Sequence, residues 1–210
     1  MILQTRNIRA FVFTALFAAL FIVMSMIAIR LSLTPVPITL QTLAVILAGI
    51  FLTPRNAFLS LFSVIVLAAV GLPLFNGHGG LSYILGYTGG FIFSFPFVAL
   101  LVSLAVGKLL KASFVKRGVL SFIIFFIVFE AISLLAYVPG IPWMMNVLGF
   151  SLPKALATGF VPFIVGDALK AVTASAVTIA LIPYIRRIRD GMQSRSAIQS
   201  SASTNAMTSE

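Results

Sequence analysis

Runs rich in Leu, Ile, Val, Phe and Ala alternate along this chain with short breaks made of Pro, Gly and charged residues. The apolar runs fall at about residues 10–30, 37–53, 56–75, 91–110, 118–138 and 157–184. Each approaches the ~20 residues that a helix needs to cross a hydrocarbon layer of ~30 Å. The pattern predicts an all-α integral membrane protein with six transmembrane helices. The second run is short and carries Gln41 and Thr42 near its outer end. The connection before it, Leu31 to Ile38, is apolar and stiffened towards extended conformations by Pro35 and Pro37. Thr53-Pro54-Arg55-Asn56 reads as a tight inner turn. The first run is too long for a signal-peptide core and lacks a clear small-x-small cleavage site before Arg30, so it reads as a retained helix. Residues 192–210, rich in Ser, Ala, Thr and Gln without periodicity, are expected to form a disordered cytoplasmic tail behind a six-helix body at 1–191.

Composition agrees with a membrane solvent: 60% of the 210 residues are hydrophobic and 9% charged, against roughly a quarter charged in soluble domains. Six spans leave only short loops, with no room between them for a soluble catalytic or nucleotide-binding domain. The net charge of +10 would suit a nucleic-acid partner, but its distribution argues otherwise. With the N-terminus inside, the cytoplasmic segments hold eleven of the fourteen basic residues: Arg6, Arg9, Arg55, Lys108, Lys111, Lys116, Arg117, Arg186, Arg187, Arg189 and Arg195. The outer loops hold Arg30 and Lys154. This asymmetry places both termini in the cytoplasm and marks the bilayer, not nucleic acid, as the partner of the basic excess. There is no Cys and one His, His78, which excludes disulfides, thiolate metal sites and a His-rich metal centre.

Candidate chemistry lies where polar groups interrupt apolar runs. Asp167 and Lys170 sit three residues apart, on one helix face, inside the last run. An ionisable group at bilayer depth costs ~2.5–3.5 kcal/mol on insertion scales, so such groups face a protein interior or a cavity. The pair is either a structural ion pair or a binding site for a polar solute. Glu130, about two turns from the outer end of the fifth run, lies at similar depth, with Lys170 one turn deeper. Between Phe75 and Phe91 the chain reads NGHGGLSYILGYTGG. Its glycines permit positive φ and close approach to a ligand. The segment reads as a folded outer lid with glycine N–H groups free for a ligand, or as a packed loop with tight turns. His78 is a lone loop histidine. Tyr83, Tyr137 and Trp143 are most simply interfacial anchors. Ala15 and Ala19 make a small-xxx-small strip that lets another helix approach, and spacing alone favours packing within the molecule. No phosphate loop, His-Glu-x-x-His, Gly-x-Ser-x-Gly or paired aspartate-rich motif is present, so an enzyme reading has little support and no cofactor is implied.

Three separated motifs, in order, resemble the BioY family: Pro35-Val36-Pro37-Ile38-Thr39-Leu40-Gln41-Thr42; Gly71-Leu72-Pro73 through the glycine loop to Gly86-Tyr87-Thr88-Gly89-Gly90-Phe91; and Pro162 through Gly166-Asp167 to Lys170. The resemblance covers roughly residues 8–190. The loop Phe75-Asn76-Gly77-His78-Gly79-Gly80 is one residue shorter than is usual in the family, Tyr87 stands where Pro is common and Phe91 where Tyr is common. Membership would imply the six-helix S-component fold, capture of biotin at the outer face, and a multi-pass protein of the bacterial cytoplasmic membrane. It would also imply partnership with a transmembrane coupling subunit and two ABC-type ATPases of an energy-coupling factor (ECF) transporter. The residues that the resemblance and the chemistry together nominate for biotin are Asp167, Lys170, Asn76, Gly79, Gly80, Tyr83, Gly89, Gly90, Gln41 and Glu130. Ala15 and Ala19 match the family's docking face for the coupling subunit. The rival reading is an autonomous proton-coupled secondary transporter of a small carboxylate or vitamin, with Glu130 and Asp167 as proton relay.

Overall fold

The computed structural model describes the backbone at residues 2–29, 34–112, 115 and 118–207, and the side chains within 8–29, 34–112, 115 and 118–192. Arg30, Lys116 and Arg117 lie outside the described residues, as do the side chains of Arg6 and Arg195. In chain order the elements are α1 (Ile2–Met26), β1 (Ala28–Ile29), β2 (Ile38–Thr39), α2 (Gln41–Phe51), α3 (Pro54–Ala69), α4 (Leu81–Ile84), α5 (Gly89–Leu109), α6 (Val119–Leu134), α7 (Tyr137–Leu148), α8 (Leu152–Gly159) and α9 (Val161–Met207). The six apolar runs correspond to α1, α2, α3, α5, the α6–α7 pair and the α8–α9 pair.

Four stretches are long and apolar enough to cross a membrane alone: Ile8–Met26, Gly89–Leu109, Val119–Leu148 and Leu152–Met192. The second run differs from a full span. Its outer third is extended, pairs Ala28 with Thr39 in a short antiparallel ladder, and leaves α2 only 11 residues, or ~16 Å of helix. Such irregular backbone survives at membrane depth where protein encloses it. Ala44, Val45, Ile46, Ala48, Gly49 and Ile50 are all buried, and α2 packs on α1, α5 and α9 at the bundle centre.

The last two runs are also broken differently from the sequence pattern. The fifth, expected to stop near 138, bends at Leu135–Ala136 and continues as α7. Pro139 falls in the first turn of α7, where a missing N–H goes unnoticed. The sixth, expected to start near 157, is preceded by α8 and restarts at Val161 with Pro162 in its first turn. Asp167 is therefore six residues into α9. The backbone of α9 is helical to Met207, through most of the stretch expected to be irregular from 192.

The glycine-rich connection is a packed structure. Phe75 is fully buried among Phe21 and Tyr83. Phe75 and His78 pair as a miniature hairpin around Asn76 (φ 51°) and Gly77 (φ 78°), both left-handed as a two-residue turn demands.

Candidate ligand-binding site

Beneath the lid lies a cavity open at its mouth. The extended segment before α2 supplies Val36, Pro37 and Thr39, and the start of α2 supplies Gln41 and Thr42. Asn76 and Tyr83 come from the lid, Phe91, Ile92 and Phe95 from α5, and Ser133, Ala136 and Tyr137 from the α6–α7 bend. Phe163, Asp167 and Lys170 complete it from α9. The walls are mainly apolar, with polar groups gathered at a few points, the usual build of a small-molecule site.

One of those points is a three-residue cluster. Lys170 Nζ donates to Asp167 Oδ1 at 2.9 Å, and the Tyr137 hydroxyl donates to Asp167 Oδ2. Asp167 is 4% exposed and Lys170 7%. A carboxylate oxygen holds two lone pairs and an ammonium carries three donors, so each keeps capacity for a further partner. The cluster offers both acceptors and donors to a ligand within one low-dielectric corner. Tyr137 is not the interfacial anchor expected: the bend at Leu135–Ala136 turns it inward, wedged edge-on between Phe91 and Phe160. Trp143, also expected as an anchor, donates from Nε1 to Gly86 O at 2.9 Å and so ties the lid to α7.

Of the nominated residues, Asp167, Lys170, Gln41, Asn76 and Tyr83 converge on the cavity. Asn76 and Tyr83 also line an outer vestibule with Thr34, Pro35, Pro37, His78 and Tyr87. His78 stacks on Tyr83 there, ring centroids 5.3 Å apart. The nominated glycines do not line the cavity. The Gly80 N–H donates to Ala68 O (2.7 Å) and the Gly89 N–H to Gly86 O (2.9 Å), so these two donors serve the lid itself. A Cβ on Gly79 would sit 2.1 Å from Leu72 O, and one on Gly90 2.5 Å from Pro139 O. These glycines are present because backbone and helix approach too closely for a side chain. Glu130 stands on α6 behind the wall, also outside the lining, with its Oε2 buried and unpartnered. Ala15 and Ala19 are exposed on α1, beside Phe11, Val12, Leu16 and Val23, rather than packed within the molecule as spacing alone favours.

Comparison with known proteins agrees with the fold. A model of the BioY family matches residues 2–187. A probable biotin transporter BioY of Pyrococcus horikoshii is 39% identical over 159 residues, 74% of this chain and 88% of the relative. One of Bacillus subtilis is 38% identical over 173 residues, covering 81% and 86%. The biotin transporter BioY of Rhizobium etli is 33% identical over 177 residues, covering 83% and 93%. Among solved structures, the S-component for biotin from an ECF-type ABC transporter superposes with a TM-score of 0.69 at 24% identity, over 84% of this chain and 92% of that one. That superposition shows a shared fold, and the family model over residues 2–187, with relatives 39% and 38% identical, places this chain in the BioY family.

Proposed function

We propose that this chain captures biotin at the outer face of the membrane and serves biotin uptake as the S component of an ECF-type transporter. It is a transporter component rather than an enzyme. The observation that carries the reading is the Asp167–Lys170–Tyr137 cluster in the wall of a mainly apolar cavity. Biotin offers an apolar bicycle and chain, a ureido group with two N–H donors and one carbonyl, and a carboxylate. The ureido group sits against the cluster, with Asp167 accepting from an N–H and Lys170 donating to the carbonyl. The apolar middle lies along Phe91, Phe95 and Phe163, and the carboxylate points to the vestibule, near Asn76 and Gln41. Equilibrium biotin binding to purified protein, wild type beside Asp167→Asn, tests this: loss of binding in the variant is expected, and equal affinity would overturn it. A biotin amide tests the orientation. Near-total loss on amidation, matched by Lys170→Ala, would put the carboxylate at the cluster instead.

The chain between residues 1 and 210 holds no phosphate-binding loop, and transport is driven by partners: a transmembrane coupling subunit energised by two ABC-type ATPases, in the bacterial cytoplasmic membrane. The exposed Ala15–Ala19 strip, set among bulky neighbours, is the docking face for the coupling subunit. Trp at both positions should abolish biotin uptake while leaving binding intact. Preserved assembly and uptake in that double variant would remove the docking role. Uptake that persists in vesicles without any ATPase, and collapses with a protonophore, would favour autonomous transport.

A further inference from the structure

Among the described residues, two buried side-chain oxygens lack a hydrogen-bond partner, Glu130 Oε2 and Ser133 Oγ. They stand three residues apart on one face of α6. Ser133 is 2% exposed and lines the cavity. Nearly all buried polar atoms in folded proteins have partners, so an orphan needs a reason. A helical hydroxyl has an easy alternative in the carbonyl four residues back. Thr14, Ser175 and Thr178 take it; Ser133 does not. Its hydroxyl is held unspent at the wall of the chamber, one turn from a carboxyl oxygen that is unspent too.

The ligand's stoichiometry supplies the reason. The ureido group has two N–H donors and one carbonyl. The Asp167–Lys170 pair can serve one N–H and the carbonyl, which leaves the other N–H unread. Resting on the biotin reading above, we propose that Ser133 Oγ accepts this second N–H while donating its own hydrogen to Glu130 Oε2. One ligand atom then satisfies both orphans. Ser133 Oγ and Glu130 Oε2 are not bonded to each other in the ligand-free structure, so the two side chains come together as the ligand binds, and Glu130 acts as a positioning residue that fixes which way the hydroxyl points. Ser133 is thus a specificity residue for the urea, and Glu130 acts through it.

The test separates ligand reading from structural support by sign. Ser133→Ala should weaken biotin binding about tenfold, while the thermal midpoint of ligand-free protein stays the same or rises, because an unpartnered hydroxyl has been removed. Ser133→Thr, which keeps the hydroxyl, should bind within about twofold of wild type. Glu130→Leu should weaken binding several-fold in the Ser133 background and not at all when Ser133 is already Ala, since coupled residues are non-additive. With the two mono-N-methylated biotins, the Ser133→Ala loss should vanish for the one lacking the contacted N–H. Equal losses for both analogues, unchanged biotin affinity in Ser133→Ala, or a fall in ligand-free stability with affinity preserved would each overturn the proposal. Wild-type protein that fails to bind biotin at all would overturn the ligand reading, and this one with it.

Discussion

Two buried cations on the same helix behave oppositely. Lys170 and Arg189, 7% and 3% exposed, stand 19 positions apart on α9, roughly 28 Å along its axis. Arg189 is bound to backbone: Nη1 donates to the carbonyls of Gly49, Ile50 and Leu52 at 3.1, 3.0 and 2.8 Å, and Nη2 to Ser103 O at 2.7 Å. Three of those carbonyls close the C-terminal end of α2, the negative end of its dipole, and the fourth belongs to α5. The Ser103 hydroxyl adds a further bond to Leu52 O, 2.6 Å. Lys170 has one partner, Asp167, and faces an open cavity. Equal burial and equal charge therefore mean different things. A cation whose terminal nitrogens bond the backbone of other helices holds helices together, and one that faces a cavity with donors to spare is placed for a ligand.

The contrast breaks most visibly at Arg189. Arg189→Ala removes the donor from four buried carbonyls, of which Leu52 O keeps the Ser103 hydroxyl, and should destabilise the fold by about 3 kcal/mol, read as loss of monodisperse protein or a large fall in thermal midpoint. Any folded remainder should bind biotin as wild type does. Asp167→Asn is expected to invert this: biotin affinity falls by about a hundredfold, near 2.7 kcal/mol, while stability barely moves. Replacing the pair together, Asp167→Leu with Lys170→Met, sharpens the point. Buried ion pairs exchanged for apolar groups are often neutral or stabilising, so the double variant should fold with an unchanged or higher midpoint and bind no biotin in calorimetry. Arg189→Lys should fall between, losing about 1–2 kcal/mol, because a compact ammonium cannot span four carbonyls as a planar fork does. The smallest effect belongs to Tyr137→Phe, which leaves Asp167 Oδ2 without its donor and should weaken biotin binding by about three- to tenfold; a stability change with affinity preserved would return Tyr137 to a packing role.

The outer site was largely legible in the chain, for a simple reason. Asp167 and Lys170 are ionisable groups inside an apolar run, and the membrane makes such residues conspicuous. The six runs were legible on the same ground of hydropathy. Arg189 was not, because an arginine near a helix end looks identical whether it reaches outward to water or inward to another helix's carbonyls. Tyr137 was hidden by the α6–α7 bend, a tertiary event that aims its hydroxyl at Asp167. The glycine loop could be read as a ligand-binding lid or as a packed loop, and its N–H groups favour packing: Gly80 donates to Ala68 O on α3, Gly89 to Gly86 O, and Gly79 and Gly90 mark close approach. Ser133 carried no signal at all, since only the absence of a partner distinguishes it from any other helical serine.

The brevity of α2 has a consequence for where a solute fits at all. A helix of 11 residues falls short of a full crossing by about nine residues, or ~13 Å. The extended segment that takes the place of those turns contributes Val36, Pro37 and Thr39 to the chamber wall. Six complete helices would interdigitate into a solid bundle. Here the room for a vitamin-sized guest is the volume of helix that the second segment never makes, vacated on the outer side while Arg189 grips the end that remains.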